Sequence, residues 1–317
     1  MSERGNGVVG LGEFGLIDRV TARLSYGPTV LLGPGDDAAV VAAADARVVA
    51  STDVLVEGRH FRRDWSGAQD IGHRAAAANL ADIAAMGARP TALLVALCMP
   101  PELSPGWAEE LADGLAAEAA IVGASVVGGD MSASPTLTIA VTALGDLGGQ
   151  APVTRAGAQP GDVLALAGRT GYAAAGLTVL SRGFRTPRLL VEAYRRPEVP
   201  YPAGPAAAAA GATAMIDASD GLLADLGHVA QASGVAVDVR RDAFAVPRQM
   251  RDAAQALGVD PYTWLLTGGD DHALAATFPP TAVLPAGWQP IGAVTAGSGV
   301  TVDQRQWEGS AGWDHFR

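Results

Sequence analysis

Apolar residues in this chain recur at two spacings, and the places where the spacing changes outline its elements. Phe14, Ile17, Val20 and Leu24 fall at three- and four-residue steps, which predicts a short amphipathic helix over Gly12 to Leu24. Two short apolar runs follow between Gly33 and His60, each with acidic residues at one end. Asp36 and Asp37 come after a Gly-Pro-Gly turn, and Asp53 closes the strand candidate Val48-Val49-Ala50-Ser51-Thr52-Asp53. The alanine-rich stretch Gln69 to Met86 is helical in pattern and stops at Gly87, with Pro90 beyond; Asn79, Asp82 and Met86 share one of its faces. Ala92 to Met99 reads as a strand, Pro105 to Val122 as a helix, Ser125 to Gly129 as extended chain leading to Asp130, and Thr136 to Leu144 as a further strand. Residues Val95 to Met99 are apolar at every position, so this strand needs cover on both faces.

Glycine and proline thicken from Gly145 to Pro160, which places a boundary near Gly148 and divides the chain into residues 1–148 and 149–317. The second half opens with a strand over Asp162 to Ala167 and a helix over Tyr172 to Arg182. A proline-rich connector, Tyr194 to Pro205, and an alanine run, Ala206 to Ala210, come next. A helix from Leu222 to Ser233 then follows Asp217-Ala218-Ser219-Asp220-Gly221, with Asp217 and Ser219 in position to cap it. This order of strands and helices, with short antiparallel-style connections, predicts an α+β fold rather than a doubly wound parallel sheet.

Composition narrows the function. At 317 residues, two domains with separate cores are expected. Acidic residues outnumber basic ones, 33 to 22, for a net charge of −11, which argues against nonspecific nucleic-acid binding. A single cysteine, Cys98, excludes an intrachain disulfide and any cysteine-cluster metal site. The start of the chain lacks the basic-then-apolar pattern of a signal peptide, and no apolar stretch is long enough to cross a bilayer, so a cytoplasmic enzyme is the simplest class. There is no lysine: all 22 basic residues are arginine. Phosphate loops and kinase motifs that depend on lysine are therefore excluded, and any nucleotide chemistry must use metal ions, arginines and backbone amides.

The acidic residues carry the candidate chemistry. On the Gly33 to His60 stretch alone, a solvated Asp-rich turn is the simpler reading. The same form recurs, however, at Asn79-Leu80-Ala81-Asp82, Gly128-Gly129-Asp130, Asp217 to Gly221 and Gly268-Gly269-Asp270-Asp271. Burying a lone carboxylate costs several kcal/mol, so carboxylates beside apolar runs point to cations that join them, and magnesium suits hard oxygen ligands completed by phosphate.

Taken together, G-E-F at Gly12, G-x-G-D-D at Gly33, S-T-D at Ser51, H-F at His60, N-L-A-D-I-A-A-M-G at Asn79 and G-G-D at Gly128 form the first half of a longer series. T-R-x-G-A at Thr154, P-G-D at Pro160, D-x-S-D-G-L at Asp217, G-G-D-D at Gly268 and W-D-H-F at Trp313 complete it. In this order the motifs resemble the thiamine-monophosphate kinase family over nearly the full length. The wider superfamily holds aminoimidazole ribonucleotide synthetase and selenophosphate synthetase, the latter disfavoured because no cysteine stands in the N-terminal segment.

The resemblance implies a two-domain fold whose N-terminal domain, residues 1–148, binds ATP and magnesium and pairs with a second copy in a barrel-like sheet. Residues 149–317 would complete the site, with ATP and thiamine monophosphate meeting between the domains. By the same resemblance, Asp36, Ser51, Thr52, Asp53, Asp82, Asp130, Asp217 and Asp220 would hold several Mg2+ ions, with Asp36, Asp82, Asp130 and Asp220 central to catalysis. Gly129, Asp130, Arg155 and Ser219 would contact ATP, and His60, Asp270 and Trp313 the substrate. Many relatives carry glutamate at the position of Asp270. A metal-dependent phosphohydrolase, another ATP-using member of the superfamily, or a non-catalytic metal-binding scaffold are the other classes these residues allow.

Overall fold

Two sheets of different make-up organise the chain. The computed structural model describes residues 8–32 and 40–313, with 8–14 described by their backbone. These group into two compact units, Met1–Ile83 with Arg89–Gly148, and Ala84–Ala88 with Gly149–Arg317. The chain passes between them at Ile83/Ala84, Ala88/Arg89 and Gly148/Gly149. No helix among the described residues is long and apolar enough to cross a membrane.

The first unit runs α1 (Val8–Thr21), β1 (Val30–Leu32), β2 (Val40–Val41), β3 (Val49–Val56), α2 (Ala68–Ala85), β4 (Arg89–Met99), α3 (Pro105–Ile121), β5 (Ser125–Ala133) and β6 (Thr138–Asp146). Strands β3 to β6 form one sheet in the order β3-β6-β4-β5, curled into a half-barrel. Pairing is antiparallel except between β4 and β5. Alternation along the strands separates its faces. Leu55, Ile139, Val141, Leu93 and Leu97 are buried on one face. Helix α2 packs there, since a Cβ on Gly145 of β6 would lie 2.2 Å from Ile83 Cγ2. The opposite face carries Val54 and Leu94, which are 46% and 37% exposed.

Helices α2 and α3 cross at glycines. A Cβ on Gly72 would stand 2.2 Å from the Leu111 carbonyl oxygen, and one on Gly114 would stand 2.1 Å from that of Gln69. One residue along from Gly72, His73 Nδ1 meets Glu118 Oε2 at 2.9 Å, so an apolar close approach and a polar tie fix the same crossing. At its N-terminus α3 is capped by Ser104, whose Oγ accepts from the Trp107 N–H, with Pro105 in the first turn.

The second unit continues with β7 (Val163–Ala167), α4 (Tyr172–Ser181), α5 (Arg188–Arg195), α6 (Ala203–Ala209), β8 (Ala214–Ala218), α7 (Leu222–Ser233), β9 (Ala236–Val239), α8 (Arg248–Leu257), α9 (Pro261–Thr267), β10 (Ala273–Phe278), β11 (Trp288–Thr295) and β12 (Gly299–Val302). Its sheet is ordered β12-β9-β11-β7-β10-β8, antiparallel except where β12 joins β9. The neighbouring strands β7, β10 and β8, the last at the sheet's edge, are almost wholly buried and mostly apolar. The end of α2 and its following turn belong to this unit. The Val153 N–H donates to the Met86 carbonyl at 3.1 Å, and a Cβ on Gly204 would lie 2.0 Å from the Ala84 carbonyl oxygen.

Several expectations shift in detail. The connector placed at Tyr194 to Pro205 is flanked and partly occupied by α5 and α6. Asp217 and Ser219 do not cap α7: Asp217 lies within β8, and the N-cap residue Gly221 makes no side-chain cap.

Because the α2–α3 crossing leaves no room for a methyl group, Gly114→Ala should destabilise the protein by about 1–3 kcal/mol. Thermal melting should show this as a clear fall in Tm, with the half-buried Gly106→Ala, whose Cβ meets nothing within 4 Å, as control.

Candidate active site

The first unit brings part of its predicted set together. Ser51 and Asp53 are two residues apart on β3 and so share the face on which α2 packs, Ser51 half-buried and Asp53 exposed. From α2 on that side, Asp82 Oδ2 accepts a 2.5 Å hydrogen bond from Ser51 Oγ. Thr52 points the other way, and its hydroxyl is engaged in the sheet, donating to the Val141 carbonyl at 3.0 Å and accepting from Thr142 Oγ1 at 3.1 Å. His60 closes the turn after β3, its Nδ1 accepting the Val56 N–H at 2.9 Å. That bond leaves Nε2 as the nitrogen that carries the proton of the neutral ring.

Gly129 and Asp130 stand apart from this group. Through Val141 and Val95, Gly129 is in register with Asp53, but it lies on β5, at the opposite edge of the sheet. Three strand spacings amount to roughly 14 Å along the sheet, too far for one ion to bridge Asp53 and Asp130. A Cβ on Gly129 would fall 1.8 Å from the Val95 carbonyl oxygen, so only glycine fits there. Asp36 lies outside the described residues.

In the second unit two loops lock onto each other. Asp217 is the last residue but one of β8, among buried neighbours, and Ser219, Asp220 and Gly221 turn the chain into α7. Gly268 to His272 lead into β10 alongside. The Asp270 N–H donates to the Ser219 carbonyl at 2.8 Å, and the His272 N–H to that of Ala218 at 3.1 Å. Cβ atoms on Gly221 and Gly269 would collide with the carbonyl oxygens of Thr267 and Ser219, at 2.5 and 2.2 Å, so the glycines of both motifs serve this close approach. Asp270 and His272 both adopt positive φ, 68° and 53°, which side chains other than glycine rarely do.

Three buried side chains that the motif reading did not assign hold these loops. Asp225 reaches back from the first turn of α7 to accept the N–H groups of Asp220 and Gly221, each at 3.1 Å, and so holds the turn that opens the helix. Burial pushes its carboxyl up to about 7, and the nearby charges of Asp217 and Asp220 push the same way. Asp271 accepts the Ala173 N–H at 3.0 Å, tying the second loop to the start of α4. Its other oxygen has no hydrogen-bond partner among the described residues, and burial raises this carboxyl to about 7 as well. His272 Nδ1 lies 3.1 Å from Asp217 Oδ2. The sequence signal for Asp225 was a carboxylate on the first turn of an otherwise apolar helix.

Trp313 is 63% exposed, so its ring is not a core anchor. The tail is instead held by its backbone: the Trp313 N–H donates to the Asp220 carbonyl at 2.9 Å, and the Ala311 carbonyl accepts from the Ala224 N–H at 3.2 Å. Arg155 is exposed on the loop before β7, its carbonyl accepting from Ser233 Oγ at 3.0 Å.

Among the described residues, no three His, Cys, Asp or Glu side chains stand close enough to hold an ion unaided. The donors present still fit magnesium. They are hard oxygens in small sets, Ser51 with Asp82, and Asp217 and Asp220 both close enough to Asp225 to act on its charge, and Mg2+ typically takes one or two carboxylates with the rest from water and phosphate.

Comparison with known proteins places the chain. Residues 35–147 match the family model for the AIR synthase related protein, N-terminal domain. The thiamine-monophosphate kinase of Mycobacterium tuberculosis is 50% identical over 308 residues, covering 96% of this chain and 92% of that protein. This chain belongs to the thiamine-monophosphate kinase family. The fold is shared over most of the chain: the crystal structure of the Stenotrophomonas maltophilia K279a kinase matches with a TM-score of 0.77 at 35% identity, covering 93% of this chain and 98% of that one. AaThiL complexed with AMPPCP and TMP matches with a TM-score of 0.78 at 31% identity, covering 96% and 97%.

The buried acid Asp271 gives a pH test with a definite sign. Its folded pKa lies above the unfolded value, so its stabilising contribution is full below about pH 4 and is lost as the pH rises through about 7. Asp271→Asn keeps the acceptor for Ala173 and cannot ionise. Its Tm should exceed that of the parent at pH 8, and the fall in Tm between pH 5 and 8 should be shallower.

Proposed function

We propose that this protein transfers the γ-phosphoryl group of ATP directly to the phosphate of thiamine monophosphate, giving thiamine diphosphate. The observation that carries this reading is the likeness, over nearly the whole chain, to a relative named for that activity. The AMPPCP and TMP bound together in AaThiL support it.

Bringing two polyanions together is the main obstacle to the reaction. Magnesium, when bound, neutralises phosphate charge and aligns an in-line displacement. In the first unit Asp36, Ser51, Thr52, Asp53, Asp82 and Asp130 would supply oxygens, and in the second Asp217 and Asp220. Two hydrogen bonds support this reading: Ser51 steadies Asp82, and Asp225 steadies the Asp220 turn from behind. Arg155 offers planar donors to phosphate oxygens, while Gly129 and Ser219 lie close to the nucleotide. The terminal oxygen of the substrate phosphate is ionised at neutral pH, so neither a protein nucleophile nor a strong general base is required.

His60, Asp270 and Trp313 face the thiamine end in this reading. The thiazolium ring is planar and cationic, and the exposed indole of Trp313 suits it through cation–π attraction of about 0.5–2 kcal/mol. Asp270 is one methylene shorter than glutamate and reaches the substrate through water. The protein acts as a homodimer paired through residues 1–148, an arrangement that would cover the sheet face bearing Val54 and Leu94.

Incubation with ATP, Mg2+ and thiamine monophosphate should yield thiamine diphosphate, whereas release of inorganic phosphate alone would mark a phosphohydrolase. Asp82→Asn should lower kcat roughly a hundredfold, because lost cation neutralisation costs several kcal/mol. Near-normal turnover at ordinary Mg2+ would refute that role. Trp313→Ala should raise the KM for thiamine monophosphate and leave that for ATP and the Tm nearly unchanged; equal weakening for both substrates would remove Trp313 from the thiamine site. Sedimentation at micromolar concentration should give a dimer, and a monomer there would rule out the pairing.

A further inference from the structure

We infer that His272 is a positioning residue whose imidazole fixes the carboxylate of Asp217, an inference that rests on reading Asp217 as a magnesium ligand. His272 Nδ1 and Asp217 Oδ2 are 3.1 Å apart, and both side chains are 6% exposed. An ionised carboxylate only accepts, so the Nδ1–H tautomer donates to it. The terminal torsion of an aspartate is broad and roughly two-fold, and a strand alone does not set where its oxygens point. A donor on one oxygen does so, and leaves the other to be directed by the ligand.

The surrounding fold holds the imidazole in turn. The His272 N–H is bonded to the Ala218 carbonyl, and the next two residues, Ala273 and Leu274, pair with Ala218 and Asp217 across the β10–β8 ladder. His272 keeps a left-handed backbone, φ 53°, in the midst of these bonds. A strained conformation persists only where its surroundings over-determine it. Here the strain turns the side chain back toward the strand that carries Asp217. Donors placed behind ligands in this way orient them, and their loss commonly weakens metal affinity 10- to 100-fold.

The test uses the full-length protein with AMPPCP and Mn2+ as the probe, bound Mn2+ being followed by electron paramagnetic resonance and folding by Tm. Asn places a donor where Nδ1 stands and tolerates left-handed backbone, so His272→Asn should bind Mn2+ within about threefold of the parent. His272→Phe keeps the bulk and removes the donor, and should weaken Mn2+ about tenfold or more. If the Phe variant does not fold, His272→Gly suits the backbone and replaces it. The double variant with Asp217→Asn should bind no more weakly than Asp217→Asn alone, because the imidazole acts through that carboxylate. Additive losses, or equal losses in the Asn and Phe variants, would show a merely structural histidine and overturn the inference. If Asp217→Asn itself leaves Mn2+ binding unchanged, the reading of Asp217 fails and the inference with it.

Discussion

A carboxylate removed from water must be held by donors or remain protonated, and much of the second unit is arranged around that constraint. Asp217, Asp225 and Asp271 are all buried. Each is tied to a different segment: Asp217 to His272, Asp225 to the turn that opens α7, and Asp271 to the start of α4. The ties converge on two loops, and the glycines of those loops are the residues that allow the backbones to approach. Sheet, helix starts and acidic loops are thus parts of one arrangement, in which no tie can be moved without disturbing the next. The first unit solves the same problem with fewer parts, using a strand hydroxyl against a helix carboxylate.

The parts of the fold that local pattern controls were legible in the sequence. Helix α2 ends within a residue of where Gly87 and Pro90 imply, and α3 begins at Pro105 behind its Ser104 cap. The α+β character followed from the order of the runs. Less legible were the later, shorter elements. Strand β11 contains Pro290 and Gly292 and shifts register between them, which breaks the period of two. Strands β9 and β12 are four residues each, too short for periodicity to separate them from loops.

The site was legible as a set of motifs but not as contacts. Capping of α7 was expected from Asp217 and Ser219 because they precede the helix, yet the side chain that fastens its start is Asp225, which lies inside it and holds the amides of Asp220 and Gly221. Chain order cannot distinguish a residue that reaches forward from one that reaches back. Nor could it show that β3 and β5 stand at opposite edges of one sheet, which separates Asp53 from Asp130 although both follow extended runs. His272 had no signal beyond its place after two aspartates. Its role depends on a strand that is 55 residues away in the chain.

The division of the chain also bears on inheritance. Residues Ala84–Ala88 group with the second unit although the helix they end belongs mostly to the first. The second unit buries that turn with Gly204, Ala208 and Val153. A gene fragment beginning after Gly148 would therefore lack part of the second unit, Ala84–Ala88. Shuffling halves between relatives would have to preserve the match between this turn and Val153, and between it and Gly204 and Ala208, which lie more than a hundred positions later.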